Sequence, residues 1–132
     1  MRGLTSKISK TLIPKSRLVC ADNSGAKILK IIGKLGKGGG KNKLAKAGVG
    51  DVIIASVTSG SPQYVKTKVK AIIIRQKSPI RRMDGTRVIF EDNAAILVND
   101  VLLPIATEVK GAMAREVIER NIKLAEVAQR VI

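Results

Sequence analysis

What most constrains this chain is a series of short β-branched blocks, each closed by a turn. Residues 17–21 (RLVCA) run into Asp22-Asn23-Ser24-Gly25, whose residue types all suit a turn. Residues 26–32 (AKILKII), 51–57 (DVIIASV), 65–76 (VKTKVKAIIIRQ), 87–90 and 94–98 follow, separated by Gly, Ser, Asp and Asn. Val and Ile are stiff at χ1 and favour extended backbone. Blocks of this length predict strands, with 65–76 the longest and an Asp84-Gly85 hairpin between Arg82 and Arg87. In that hairpin Met83 pairs with Thr86, and Arg82 faces Arg87. After Pro104 the pattern changes: 107–120 reads as a weakly amphipathic helix and 121–131 as a second, capped by Asn121. Glu116–Arg120 and Glu119–Lys123 stand in helix-stabilising i, i+4 order. Short strands followed by a helical end imply a mainly β chain, a small barrel with a helical appendix. With 132 residues it reads as a single domain, 1–132. Residues 1–16 form a basic, extended and partly mobile arm and 107–132 the helical part.

The charge is unevenly placed. Residues 1–99 carry 20 Lys/Arg against 5 Asp/Glu, whereas residues 100–132 carry 5 of each. The formal net charge of +15 therefore belongs to the first three quarters. A single-sign field of that size repels itself and calls for a polyanion. Tyr64 and Phe90 are the only aromatics, so the bases of a nucleic acid have no stacking platform. Backbone phosphates are the expected target.

Several groups of cations stand out. Lys66, Lys68 and Lys70 alternate along one strand face, a comb able to follow phosphates. Arg81, Arg82 and Arg87 flank the hairpin. Residues 33–50 (GKLGKGGGKNKLAKAGVG) form a long Gly/Lys loop carrying Lys34, Lys37, Lys41, Lys43 and Lys46. It matches neither the Walker nor the dinucleotide glycine pattern. It is expected to be flexible until it meets an anion. Lys27, Arg75 and Lys77 complete the candidate RNA-binding set.

Catalysis finds little support. There is no His, and Cys20 is the only cysteine, so it is read as a small buried strand residue. The five carboxylates before residue 100 lie in or beside likely turns. No catalytic, cofactor or metal residue is assigned. No apolar run approaches the ~18 residues of a membrane helix, and the cytoplasm is the expected compartment.

Five blocks carry a resemblance: residues 21–26 (ADNSGA), 47–51 (AGVGD), 70–75 (KAIIIR), Asp84-Gly85 with 90–94 (FEDNA), and Ala114-Arg115-Glu116. In this order they resemble the universal large-subunit ribosomal protein fourteen family. The basic insert before residue 47 and the N-terminal extension resemble its archaeal and eukaryotic branch. The resemblance implies a five-stranded barrel with a projecting β-ribbon and a short helical C-terminal segment. It implies a structural role in the large subunit, binding to its ribosomal RNA, and a bridge to small-subunit RNA. Neighbouring large-subunit proteins and a subunit anti-association factor are the implied protein partners. The competing reading from the residues is a free-standing basic nucleic-acid-binding barrel, such as a translation factor.

Overall fold

The computed structural model describes residues 6–36 and 44–132. In chain order the elements are β1 (Lys7–Ile8), β2 (Arg17–Cys20), β3 (Ala26–Lys34), β4 (Val52–Gly60), β5 (Lys68–Arg75), β6 (Ile80–Arg81), β7 (Arg87–Val88), β8 (Ala94–Val98), β9 (Ala112–Met113), α1 (Arg115–Arg120), a 3-10 turn (Ile122–Glu126) and β10 (Arg130–Val131). Strands β2-β3-β4-β5-β8 form a closed barrel, as the resemblance implied. Neighbours are antiparallel except at the closure, where β8 lies parallel to β2 and sets Ala94 beside Val19 and Ala95 beside Cys20.

The barrel interior follows from strand alternation. In β4 Ile53, Ala55 and Val57 are buried while Val52, Ile54 and Ser56 are half-buried. Leu18, Leu29, Ile53, Ile73 and Leu97 are nearly or wholly removed from solvent. Each such side chain contributes about 1.5–3 kcal/mol by burial. Small residues, among them Ala55, Ala71 and Ala95, lie buried between them and let a five-stranded barrel close. Residues 71–74 of β5 and all of β8 are buried on both faces, because the C-terminal segment covers the barrel there. Ala114 N–H donates to Ile74 O, and Asp22 bridges to Val109. Strands covered on both sides read as continuous apolar runs.

Three expectations change. Residues 65–76 are not one strand. Val57 N–H bonds Thr67 O while Val57 O accepts Lys66 N–H, so two residues oppose one. Lys66 takes φ 66 at this bulge, β5 starts only at Lys68, and β3 and β4 are the longest strands. The C-terminal part is much less helical than its pattern suggests. Residues 107–114 are kept out of a helix by the bridge at Val109, the left-handed Gly111 (φ 79) and the parallel pairing of β9 with β10. Only six residues of α1 and the 3-10 turn remain, the latter capped by Asn121 as expected. Finally, the described part of the arm is built into the fold. β1 pairs with β6, and Leu12 is buried and bridges Ala47.

Cys20 is buried, as read, and its thiol donates to Asp22 Oδ1 at 3.1 Å. Burial, reinforced by the Asp22 charge, pushes that thiol up to about 12. Gly60, at φ +144, ends β4 where a Cβ would sit 2.6 Å from Gly25 O. Gly33 in β3 has open space around its own missing Cβ. Gly60→Ala should therefore destabilise the fold by about 1–3 kcal/mol. Gly33→Ala should stabilise it by about 0.5–1 kcal/mol. Urea melts of the two variants check this; equal effects would refute it.

Candidate nucleic-acid interface

The ribbon carries the clearest cationic array. Strands β1, β6 and β7 form a separate three-stranded sheet. Its register sets Lys7 opposite Arg81 and Arg81 opposite Arg87, with Ile8, Ile80 and Val88 in the next row. Side chains alternate between faces, so one face is apolar and the other holds three cations in a line. Ile80 is wholly buried, whereas Lys7, Arg81 and Arg87 are exposed. The strands stand ~4.8 Å apart, so the row spans two strand spacings. Like charges set directly opposite repel. Among the described residues no carboxylate pairs with any of the three.

Arg82 is not part of this row. The loop has three residues rather than two, because Arg82 N–H bonds Thr86 O and Gly85 takes φ +89. A left-handed glycine closing a three-residue loop is a standard hairpin solution. Asp84 Oδ1 accepts the Thr86 N–H at 2.9 Å, which holds the Asp84 carboxyl below its ordinary value. Arg82 then turns inward. Its Nε donates to Glu116 Oε1 at 2.9 Å and its Nη2 to Ile132 O at 2.7 Å. Glu116 is wholly buried and also accepts from Ser6 Oγ at 2.8 Å. Burial alone would raise the Glu116 carboxyl. The hydrogen bonds from Arg82 and Ser6 outweigh it and hold the group below its ordinary 4.5.

Other expected site residues are also committed internally. Arg75 donates to Asp92 Oδ1 at 2.9 Å and to the carbonyls of Lys110 and Ala112. Lys34 ends β3, and its buried ammonium lies 3.4 Å from Asp51. Lys70 pairs with Asp100 at 3.0 Å on the surface. The comb of Lys66, Lys68 and Lys70 is broken by the bulge at Lys66, leaving Lys68 and Lys70 beside one surface depression with Ile54 and Ile105. Lys77 is exposed and lines a groove with Arg17, Val19 and Ile28. Lys27 and Lys46 are exposed. Lys37, Lys41 and Lys43, with the expected flexibility of their loop, lie outside the described residues.

The sequence reading missed Lys7 and Arg17. Lys7 belongs to a two-residue strand, too short for any period-2 signal. Both i, i+4 pairs anticipated in the tail are replaced: Glu116 goes to Arg82, Arg120 to Asp51, and Glu119 to Arg115.

These contacts separate the two hairpin arginines. Arg82→Ala leaves a buried carboxylate unpaired and should destabilise the fold by about 3–5 kcal/mol. Arg87→Ala should change stability by no more than about 0.5 kcal/mol. Chemical denaturation measures both, and equal losses would contradict the inward turn of Arg82. The depressed Glu116 pKa also fixes a sign. Its contribution is complete above the unfolded value of 4.5 and is lost as pH falls through the lower folded value. The wild-type melting temperature should therefore drop below about pH 4.5, more steeply than that of Glu116→Gln.

The chain matches the family model described as ribosomal protein L14p/L23e over residues 11–132. It is 44% identical to the large ribosomal subunit protein uL14 of Halorubrum lacusprofundi, across the full length of both chains. The uL14 proteins of Halobacterium salinarum and Natronomonas pharaonis are 45% and 46% identical, again over the full length of both chains. Barrel, ribbon and sequence agree: the chain belongs to the ribosomal protein L14p/L23e family, a family of structural proteins rather than enzymes.

Proposed function

We propose that this protein is a structural constituent of the large ribosomal subunit in the cytoplasm. It binds large-subunit RNA through backbone phosphates. The observation that carries the reading is the row Lys7-Arg81-Arg87, unpaired among the described residues, on a ribbon whose other face holds the buried Ile80 and Val88. Like charges held in register are relieved by an anion lying across them, and a sugar–phosphate backbone supplies a line of such anions. The Arg17–Lys77 groove, Lys27, Lys46 and Lys68 extend the contact. The relatives named as large-subunit proteins support the assignment.

The finer parts of the reading rest on the family resemblance. They are a bridge to small-subunit RNA, contacts with neighbouring large-subunit proteins, and a surface for a subunit anti-association factor. For the protein contacts the side around residues 100–122 is suited. It exposes Val101, Leu103, Ile105 and Ile122, and residues 100–132 carry no net charge. A free-standing nucleic-acid-binding barrel would use the same cationic row but would not remain with the large subunit through a moderate salt wash.

Binding of the full chain to large-subunit RNA, measured against salt, tests the assignment. Neutralising Z phosphates gives a slope of about −0.7Z to −0.9Z in log K against log salt. Arg87→Ala should reduce the magnitude of that slope by about one without changing the melting temperature. A salt-independent affinity, or loss from the subunit at moderate salt, would overturn the reading.

A further inference from the structure

A second cationic cluster lies around Asp51 and shares no residue with the ribbon row. Asp51 is buried, and its Oδ1 accepts from Arg120 Nη1 at 2.8 Å. Its Oδ2 accepts from Gly48 N–H at 2.9 Å and lies 3.4 Å from Lys34 Nζ and 3.8 Å from Lys10 Nζ. Three cations from three separate segments thus share one carboxylate, leaving two positive charges unbalanced. Residues 1–5 (MRGLT) and 37–43 (KGGGKNK) contain no Asp or Glu, so neither segment can make up the difference.

The cluster is supplied with donors beyond those Asp51 uses. A guanidinium has five N–H donors and an ammonium three. Among the described residues the Arg120 side chain makes one hydrogen bond, and its buried Nε has no partner. Lys10 is 43% exposed, which opens the cluster to solvent on one side. The Lys34 ammonium beside it, together with burial, lowers Lys10 from its ordinary value despite the attraction of Asp51. The backbone is shaped to admit these side chains. Gly50 takes φ +85, and a Cβ there would lie 2.9 Å from Arg120 Cδ.

We propose that Lys10, Lys34 and Arg120, gathered on Asp51, form a phosphate-binding pocket at the root of the Gly/Lys segment. The occupant is a backbone phosphodiester of RNA. One phosphodiester carries one charge and leaves the pocket still cationic, continuous with Lys37, Lys41 and Lys43 in sequence. The choice of RNA rests on the function proposed above; the choice of phosphate does not. Asp51 acts as the positioning residue that collects the three cations.

Lys10→Gln in the full chain is the test, because Asp51 keeps Arg120, Lys34 and the Gly48 N–H. In chloride the melting temperature of the variant should be unchanged or slightly higher. Its slope of log K against log salt on large-subunit RNA should be about one unit shallower than wild type, and Lys10→Arg should restore it. A second arm compares melting in potassium phosphate and potassium chloride at matched ionic strength. A phosphate-specific rise in wild type that Lys10→Gln abolishes, with an unchanged RNA slope, would show the pocket takes free phosphate. If Lys10→Gln alters neither readout, or only lowers the melting temperature in chloride, the pocket is overturned while RNA binding by the ribbon stands. If the wild-type protein shows no salt-dependent RNA binding, the functional reading fails and the phosphate arm alone judges the pocket.

Discussion

The closure of the barrel between β2 and β8 is the contact on which the rest of the molecule depends. It is the single parallel pairing among the five barrel strands and its register involves only two residue pairs. Parallel pairs are slightly weaker per residue, and this one is reinforced from outside the ladder. Val19 N–H reaches Asn93 O and Ala21 N–H reaches Ala95 O, prolonging the seam at both ends. Asp22 clamps it further: Oδ2 accepts the Leu97 N–H at 2.9 Å while Oδ1 accepts from Cys20 and Ser24. Because the sheet closes, its five strands present no open edge, which would otherwise template pairing with another chain. The short ribbon and the covering C-terminal segment can then be built on a rigid cylinder.

Buried carboxylates organise what surrounds that cylinder. Asp51 joins the arm, the end of β3 and α1, because Lys10, Lys34 and Arg120 all come to it. Glu116 joins the arm, the hairpin loop and the chain's last residue through Ser6 and Arg82. Gln76 does the same without charge. It is wholly buried, accepts from Val49 N–H and donates to the carbonyls of Ser9 and Ser78. A buried charge is tolerable only when paired and hydrogen-bonded. In a chain with 10 acidic and 25 basic residues, a buried carboxylate readily finds a cation. Most of the cations so taken lose their exposure, Lys10 at 43% being the exception. Arg75 and Arg82 are the clearest cases: both sit in strongly basic stretches, and both serve the fold.

Legibility in the sequence followed the range of each interaction. Residues 94–98 appeared as a strand with its true bounds, since every side chain in the block is apolar and a turn precedes it. Asn121 was legible as a cap because capping is settled within three residues. The helix expected over 107–120 shrank to six residues, since Ala112 and Met113 are taken by a strand at the far end of the tail. The hairpin was visible in Asp84-Gly85, yet its register was off by one. The Asp84–Thr86 hydrogen bond and the left-handed Gly85 add a residue to the loop. That single step exchanges Arg82 for Arg81 opposite Arg87, and so decides which arginine can face an anion.

Composition and local pattern by themselves determined that the chain is mainly β, strongly basic in its first 99 residues, without His and nearly without aromatics. Those are properties of residue types and near neighbours, and from them the expectation is the backbone of a polyanion rather than stacked bases. Tertiary structure alone decided which cations remain outside. Lys34, Arg75 and Arg82 lie 17, 17 and 34 residues from the carboxylates that capture them. Lys7 lies 74 residues from the Arg81 it stands beside. No local rule connects such positions. Their pairing is set by barrel closure and by the need to neutralise each carboxylate buried around it.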